Sequence, residues 1–358
     1  PERSAFASWG DHEFRLGPTY PFGRPTRFSR MSTDPRDLPD VVRASWHRFA
    51  DTYEPLHGEL YRYCRHLTRT PWDAEDLAQD TMSRAFATLG RMGVSPPNPR
   101  AWLFRVASNL WLDHVRRPRP TLEPVPPSSD PPIDLRDAAG TLLVQLAPQE
   151  RAAVVLKDAF DFSLDEVAGI LGTTVGAVKA ALHRGRGKLL EPDVETSRVP
   201  VQGAVEAFCA AFNARDIEGL TALLLDSATV EVVGATASYG ADETRKQMLL
   251  GMLFGSERLA NAATQGGIEA RFVCGALPTP PRAEMRSYRG EAIALLWYDH
   301  EDGEHVRALN RIVADGDRIT TLRNYFFTPD LIAEVCAELG VSHRPNGYRW
   351  WLSRVGCP

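Results

Sequence analysis

The chain has 358 residues, more than one hydrophobic core usually sustains, so two or three domains are expected. Its apolar share of 43% and charged share of 24% are those of a globular protein. No apolar run reaches membrane-span length and the first thirty residues lack a secretory apolar stretch, so a cytoplasmic protein is expected, while a net charge of -5 excludes nucleic-acid binding by the surface as a whole but allows local basic stripes.

Residues 1–40 read as a disordered leader, because Pro and Gly interrupt any period before Met31, the expected start of translation. The five cysteines, Cys64, Cys209, Cys274, Cys336 and Cys357, stand too far apart for a C-x-x-C site. They read as small apolar side chains, and no metal or cofactor is expected.

The pattern is helical from 41 to 117. Thr70 can cap a helix with Pro71 at its first position and Gly90 as its stop. Its inward stripe includes Ala74, Leu77, Ala78 and Ala85, and Asp73, Asp76 and Asp80 share the other face. An ordinary solvated helix carries such a face too. The next helix, capped by Asn98 and ended by Pro118, mixes Trp102, Phe104 and Trp111 with Arg100, Arg105, Arg116 and Arg117. Rings that stack on bases and guanidinium groups that hold phosphates suit single-stranded DNA, although any one Trp also serves as core.

DAEDLAQDTMSRAF followed by PRAWLFRVASNLWLDHVRR resembles region 2 of the extracytoplasmic-function sigma factors, a group within the sigma-70 family. The resemblance implies that Asp73, Asp76, Leu77, Gln79 and Asp80 dock on core RNA polymerase. It further implies that Arg100, Trp102, Arg105, Asn109, Arg116 and Arg117 meet the promoter minus-ten element, with Asp113 in the same motif and the loop 88–97 holding a flipped base of the non-template strand.

Seven prolines in the seventeen residues 118–134 make an extended linker. A second helical block spans 135–190. It holds a helix from Gln149 to Phe160, a capping box of Ser163 with Glu166, a turn at Gly172, and a second capped helix opened by Thr174. This is a helix-turn-helix pattern. Residues 179–188 contain no acid, as phosphate contacts require. The unit resembles region 4 of the same sigma factors. By that resemblance Thr174, Val175, Gly176, Lys179, His183, Arg184, Arg186 and Lys188 contact the minus-thirty-five element. Ala180 and Ala181 depart from the Ser and Arg that many members carry, which removes a bidentate base contact.

After a joint at 191–199, residues 200–340 begin as helices and turn to strands. TVEVV and IEARFVC read as strands, ADETRKQMLLGMLFG as a helix, and Asp302-Gly303 and Asp315-Gly316 as hairpin turns of a β-meander. The order gives an α+β domain with a curved antiparallel sheet. It resembles the SnoaL-like domains of the nuclear-transport-factor-2-like superfamily, cones with a pocket at the mouth. Asp226, Asp242, Glu284, Asp299, His300, Arg311, Asn324 and Tyr325 are the acid-base candidates of such a pocket. The tail 341–358 carries Trp350-Trp351.

The expectation is a multidomain chain: two all-α sigma domains, a region 2 helical bundle and a region 4 helix-turn-helix, followed by an α+β SnoaL-like cone. By the resemblance it is no enzyme. Its expected partners are core RNA polymerase, promoter DNA as duplex and as single-stranded non-template strand, and a small-molecule or protein effector of the SnoaL-like domain, with no membrane. Two other readings use the same features: a helix-turn-helix regulator independent of polymerase, and a SnoaL-like enzyme.

Overall fold

A computed structural model describes residues 38–68, 70–92, 95–116, 146–188, 202–245, 249, 252–253 and 281–348. The leader, the proline-rich linker, the joint, the IEARFVC strand and Trp350-Trp351 lie outside the described residues. The chain divides into two units, 1–45 and 46–358. The described part of the first, 38–45, is helical, with the Ser45 hydroxyl donating to the Val41 carbonyl at 2.9 Å.

The second unit begins within helix α1 (Leu38–Tyr53), where Trp46, Phe49 and Tyr53 form a ring ladder with centroids 5.4 and 4.7 Å apart. Helices α2 (His57–Leu67), α3 (Pro71–Met92) and α4 (Pro99–Arg116) follow. Their starts are locally encoded: Thr70 Oγ1 accepts from the Asp73 amide and Asn98 Oδ1 from the Ala101 amide, both at 3.0 Å. Helix α3 runs past Gly90 to Met92, because Gly90 keeps a helical backbone and faces open space.

The expected Gln149–Phe160 helix is α5 (Pro148–Val154) continued by a π-helical turn, Val155–Ala159. Helices α6 (Leu164–Leu171) and α7 (Val175–Lys188) complete the helix-turn-helix. Its signals sit where the spacing put them: Ser163 and Glu166 cap reciprocally at 3.2 and 2.8 Å, Gly172 turns with φ 62°, and Thr174 Oγ1 accepts from the Ala177 amide at 3.2 Å.

The third block contains α8 (Gln202–Asn213), α9 (Ile217–Leu223), β1 (Leu224–Val232), β2 (Thr236–Tyr239), α10 (Ala241–Thr244), β3 (Arg282–Tyr288), β4 (Glu291–His300), β5 (Gly303–Asp315), β6 (Arg318–Tyr325) and α11 (Pro329–Leu339). The sheet order is β2-β1-β6-β5-β4-β3. Both Asp-Gly hairpins form as read, but the sheet is mixed: β1 runs parallel to β6, with Val230 opposite Leu322. The chain reaches that edge of β6 from the helices and not through a hairpin, so no short turn imposes an antiparallel pair.

Strand β4 explains how this domain is held. Its apolar run alternates between two cores: Ala292, Ala294, Leu296 and Tyr298 pack with Phe208, Phe212 and Leu220 of α8 and α9, whereas Ile293, Leu295 and Trp297 pack into the core of α2, α3 and α11. Both sheet faces are therefore covered. Among the described residues no helix is long and apolar enough to cross a membrane.

Candidate nucleic-acid and polymerase interface

The predicted docking residues of α3 share one side of the helix. Asp73 and Asp80 are exposed, Asp76 and Gln79 are half-buried, and Leu77 leans on the core. Partial desolvation against the neighbouring residues, although Asp80 keeps contact with solvent, and then the nearby Asp76 charge hold its carboxyl above the usual range. Beneath this face lies Glu75, fully buried, which accepts a hydrogen bond from Gln79 Nε2 at 2.7 Å. Burial raises its carboxyl to about 8. The sequence reading passed over Glu75 because its polar type gives no apolar signal.

On α4, Arg105 is exposed and Asn109 half-buried. Asp113 and Arg116 are exposed and 3.9 Å apart. Trp102 is half-buried with its ring 5.8 Å from that of Tyr53, while Trp111 is buried beneath the Arg151 guanidinium at 5.4 Å. Trp111 thus takes the core role and Trp102 keeps one side accessible. Arg100 turns to Glu59 and to the Phe160 carbonyl. Arg117 lies outside the described residues. Of the expected base-holding loop, 88–92 belongs to α3 and Ser95 and Pro97 are exposed.

The exposed side of α7 carries Gly176, Lys179, Ala180, His183, Arg184 and Arg186, with the exposed cap Thr174 just before it; Val175 is half-buried, and Val178, Ala181 and Leu182 form the inner stripe. The departing alanines therefore differ: Ala180 is offered outward and Ala181 is core. Arg184 Nε donates to Glu150 at 2.8 Å and Arg186 Nε to Asp158 at 3.0 Å. The side chain of Lys188 lies outside the described residues. Lys157, Lys179, His183 and Arg186 line an open groove with Leu164 and Leu182. Lys157 joins this basic groove through the π-helical turn, an arrangement with no signature in the sequence.

The acid-base candidates of the third block are not gathered. Arg311 and Tyr325 face α3, and Arg311 donates to Glu291 at 2.6 Å. Asn324 donates to Asn310 at 2.6 Å within the sheet. Glu284 pairs with Arg282, while Asp299 and His300 lie at the β4–β5 hairpin.

Residues 52–121 match the family described as Sigma-70 region 2, and residues 136–189 that described as Sigma-70, region 4. The chain is 32% identical over 235 residues to the ECF RNA polymerase sigma factor SigG of Mycobacterium tuberculosis. That match covers 53% of this chain and 63% of SigG, so the chain spans less than two thirds of that relative. It is 32% identical over 154 residues to SigM of the same organism, covering 41% of this chain and 78% of SigM. The crystal structure of the extracytoplasmic function sigma factor SigJ of Mycobacterium tuberculosis aligns over 78% of this chain and 97% of its own, at 22% identity and a TM-score of 0.29. With region 2 preceding region 4, and with identity to SigM that runs through most of its length, the chain belongs to the ECF RNA polymerase sigma factors.

Proposed function

We propose that the protein is a sigma subunit that binds core RNA polymerase through the acidic side of α3, captures the minus-ten element as single strand with α4, and reads the minus-thirty-five duplex with α7. The observation that carries this is the ordered pair of sigma-70 regions with their outward chemistry intact. Carboxylates line α3, Arg105 and the accessible side of Trp102 stand on α4, and Lys179 and His183 on α7. Acid faces a protein partner and base faces phosphate, which a single-purpose regulator would not need.

Nucleotidyl transfer belongs to the polymerase, and the protein contributes no chemistry of its own. Arg311, Asn324 and Glu284 are taken up by Glu291, Asn310 and Arg282, which favours a binding and regulatory role for the α+β domain over a catalytic one. On this reading the protein acts at promoters in the cytoplasm, and a small molecule or protein is the effector of the α+β domain. Run-off transcription with core polymerase on genomic fragments tests the reading. Specific initiation is the expected result, and failure to initiate with folded protein and active core would defeat it.

A further inference from the structure

After α11 the segment 341–348 crosses the α+β domain as a strap. The pairing of β5 with β6 begins at Leu309 opposite Tyr325, so the start of β5 has no β6 beside it, and the strap takes that place. The Val306 amide donates to the Ser342 carbonyl at 3.0 Å, the Arg344 amide to the Val306 carbonyl at 2.9 Å, and the Ser342 hydroxyl to the Glu304 carbonyl at 3.0 Å. Asn346 accepts from Arg307 Nη2 and donates to the Phe326 carbonyl at 3.1 Å. The strap then reaches region 2, where the Tyr348 ring lies against that of His57 at the start of α2, with centroids 3.7 Å apart.

Histidines hold both ends of this strap, and each must be neutral to do so. His57 is buried, and neither ring nitrogen finds a partner beyond its own residue among the described residues. An imidazolium has two N–H donors, so a charged ring here would be desolvated and unpaired at once. Burial accordingly lowers the ring to about 3 from an ordinary 6.5. At the other end, Arg344 Nη1 stands 3.3 Å from His300 Nδ1 while its Nη2 donates to Asp302 at 3.0 Å. His300 Nδ1 can accept from Arg344 only as a neutral ring, and an imidazolium would set two cations face to face. Partial desolvation, and then Arg307, Arg344 and His305, keep the His300 ring below its usual range against the pull of Asp302.

We propose that residues 341–348 are an acid-released latch between the α+β domain and region 2, closed while His57 and His300 are neutral and freed when they take up protons. The sign follows from linkage. A released His57 ring binds a proton that the docked ring refuses, so docking is strongest above about pH 6.5 and weakens as pH falls toward 3. For a ring that becomes fully solvated on release, the docking constant falls about thirtyfold between pH 8 and pH 5. The other titratable groups facing His57 are Tyr348 of the strap and Asp330 of α11, which lies against the neighbouring Gly58. Around His300 they are Asp299, Glu301, Asp302, His305, Arg307 and Arg344.

Amide exchange of the full chain reads the latch directly, because the Val306 and Arg344 amides are bonded across it. Protection of segments 303–308 and 341–347, corrected for the intrinsic pH dependence of exchange, is expected to fall on the order of tenfold or more from pH 7.5 to pH 5, while α8 keeps its protection. His57→Phe keeps a ring against Tyr348 and His300→Gln keeps an oxygen for Arg344, yet neither replacement can take up a proton. The double variant is expected to hold its protection at pH 5, and each single variant to show a smaller fall than wild type. Tyr348→Ala is expected to lose protection at both pH values. Constant protection in the wild-type chain overturns the proposal without recourse to any variant. So does an undiminished fall in both single variants, full protection of Tyr348→Ala at pH 7.5, or a loss at pH 5 that extends equally to α8 and is therefore general unfolding.

Discussion

Arg100, held by Glu59, bridges the two sigma regions. Arg100 Nε donates to both Glu59 carboxylate oxygens, at 2.9 and 3.0 Å, and its Nη2 donates to the Phe160 carbonyl at 3.1 Å, with the guanidinium carbon 4.0 Å from the Phe162 ring centre. Glu59 belongs to α2 and the two phenylalanines to the segment between α5 and α6, so one side chain holds three elements. Arg100→Ala should loosen that segment by about 2 kcal/mol, the usual worth of hydrogen bonds to charged groups. Hydrogen exchange of peptides over 156–164 should accelerate correspondingly, and Arg100→Lys should restore only part of the protection because an ammonium cannot reproduce the fork. Unchanged exchange would show that the bridge does not hold the regions together.

Glu75 should make stability fall as pH rises. Its folded-state carboxyl is raised to about 8 by burial, against an ordinary value of 4.5. The folded chain therefore holds a proton that the unfolded chain has released, and stability declines from about pH 4.5 upward until the folded group also ionises near pH 8. The groups around it are Tyr61 and Cys64 of α2, Asp76 and Gln79 of α3, Arg323 and Tyr325 of β6, and Asp330 of α11. Glu75→Gln keeps an amide oxygen for Gln79 and should melt several degrees higher than wild type at pH 8 but not at pH 5. Comparing the two proteins at each pH cancels His57, whose burial lowers its ring to about 3 and costs stability on the acid side. A difference that does not vary with pH would mean Glu75 is charged when buried.

Two helical glycines should respond oppositely to alanine. Gly169 in α6 has nothing within 4 Å of an added Cβ, so Gly169→Ala should stabilise by roughly 0.5–1 kcal/mol through helix propensity alone. At Gly185 in α7 the same Cβ would meet Val154 Cγ2 at 2.8 Å. Gly185→Ala should destabilise by roughly 1–2 kcal/mol despite its propensity gain, since overpacking costs more than the propensity returns. Thermal melts of the two variants should move in opposite directions, and a rise for both would show that α5 and α7 can part at no cost.

Lys179 and Arg184 should separate DNA contact from fold. Lys179 is exposed on α7, so Lys179→Ala should weaken promoter duplex binding similarly across sequences and reduce its salt slope by about 1, with an unchanged melting temperature. Arg184→Ala should weaken binding and also lower the melting temperature, because Arg184 holds the buried Glu150 carboxylate at 2.8 Å. Titrations at several salt concentrations, run beside melts, distinguish the two. Loss of discrimination at one base position in Lys179→Ala would make it a base reader.

Local contacts were legible in the residues themselves. The caps of Thr70, Asn98, Ser163 and Thr174 join residues three apart, the Gly172 turn needs only a positive φ, and the two Asp-Gly hairpins join neighbouring strands. Such features depend on bond geometry and spacing, which any reader of the chain can count. The edge strand β3 escaped because its RAEMRSY segment is half-exposed and its apolar alternation is weak. The parallel partner of β1 escaped because no turn joins it to β6.

The order of the two sigma regions, their outward charges and the α+β character of the third block were thus determined by the sequence alone. What covers each face was decided by tertiary structure. The continuous apolar run of β4 requires burial on both sides but does not say against what, and the answer is α8 and α9 on one side and the region 2 core on the other. In the same way, Arg323 reads as one more polar residue of an alternating strand. Only packing sets it against Asp76, 247 residues earlier, because a contact over that separation follows from how whole elements stack and leaves no period in the sequence to find.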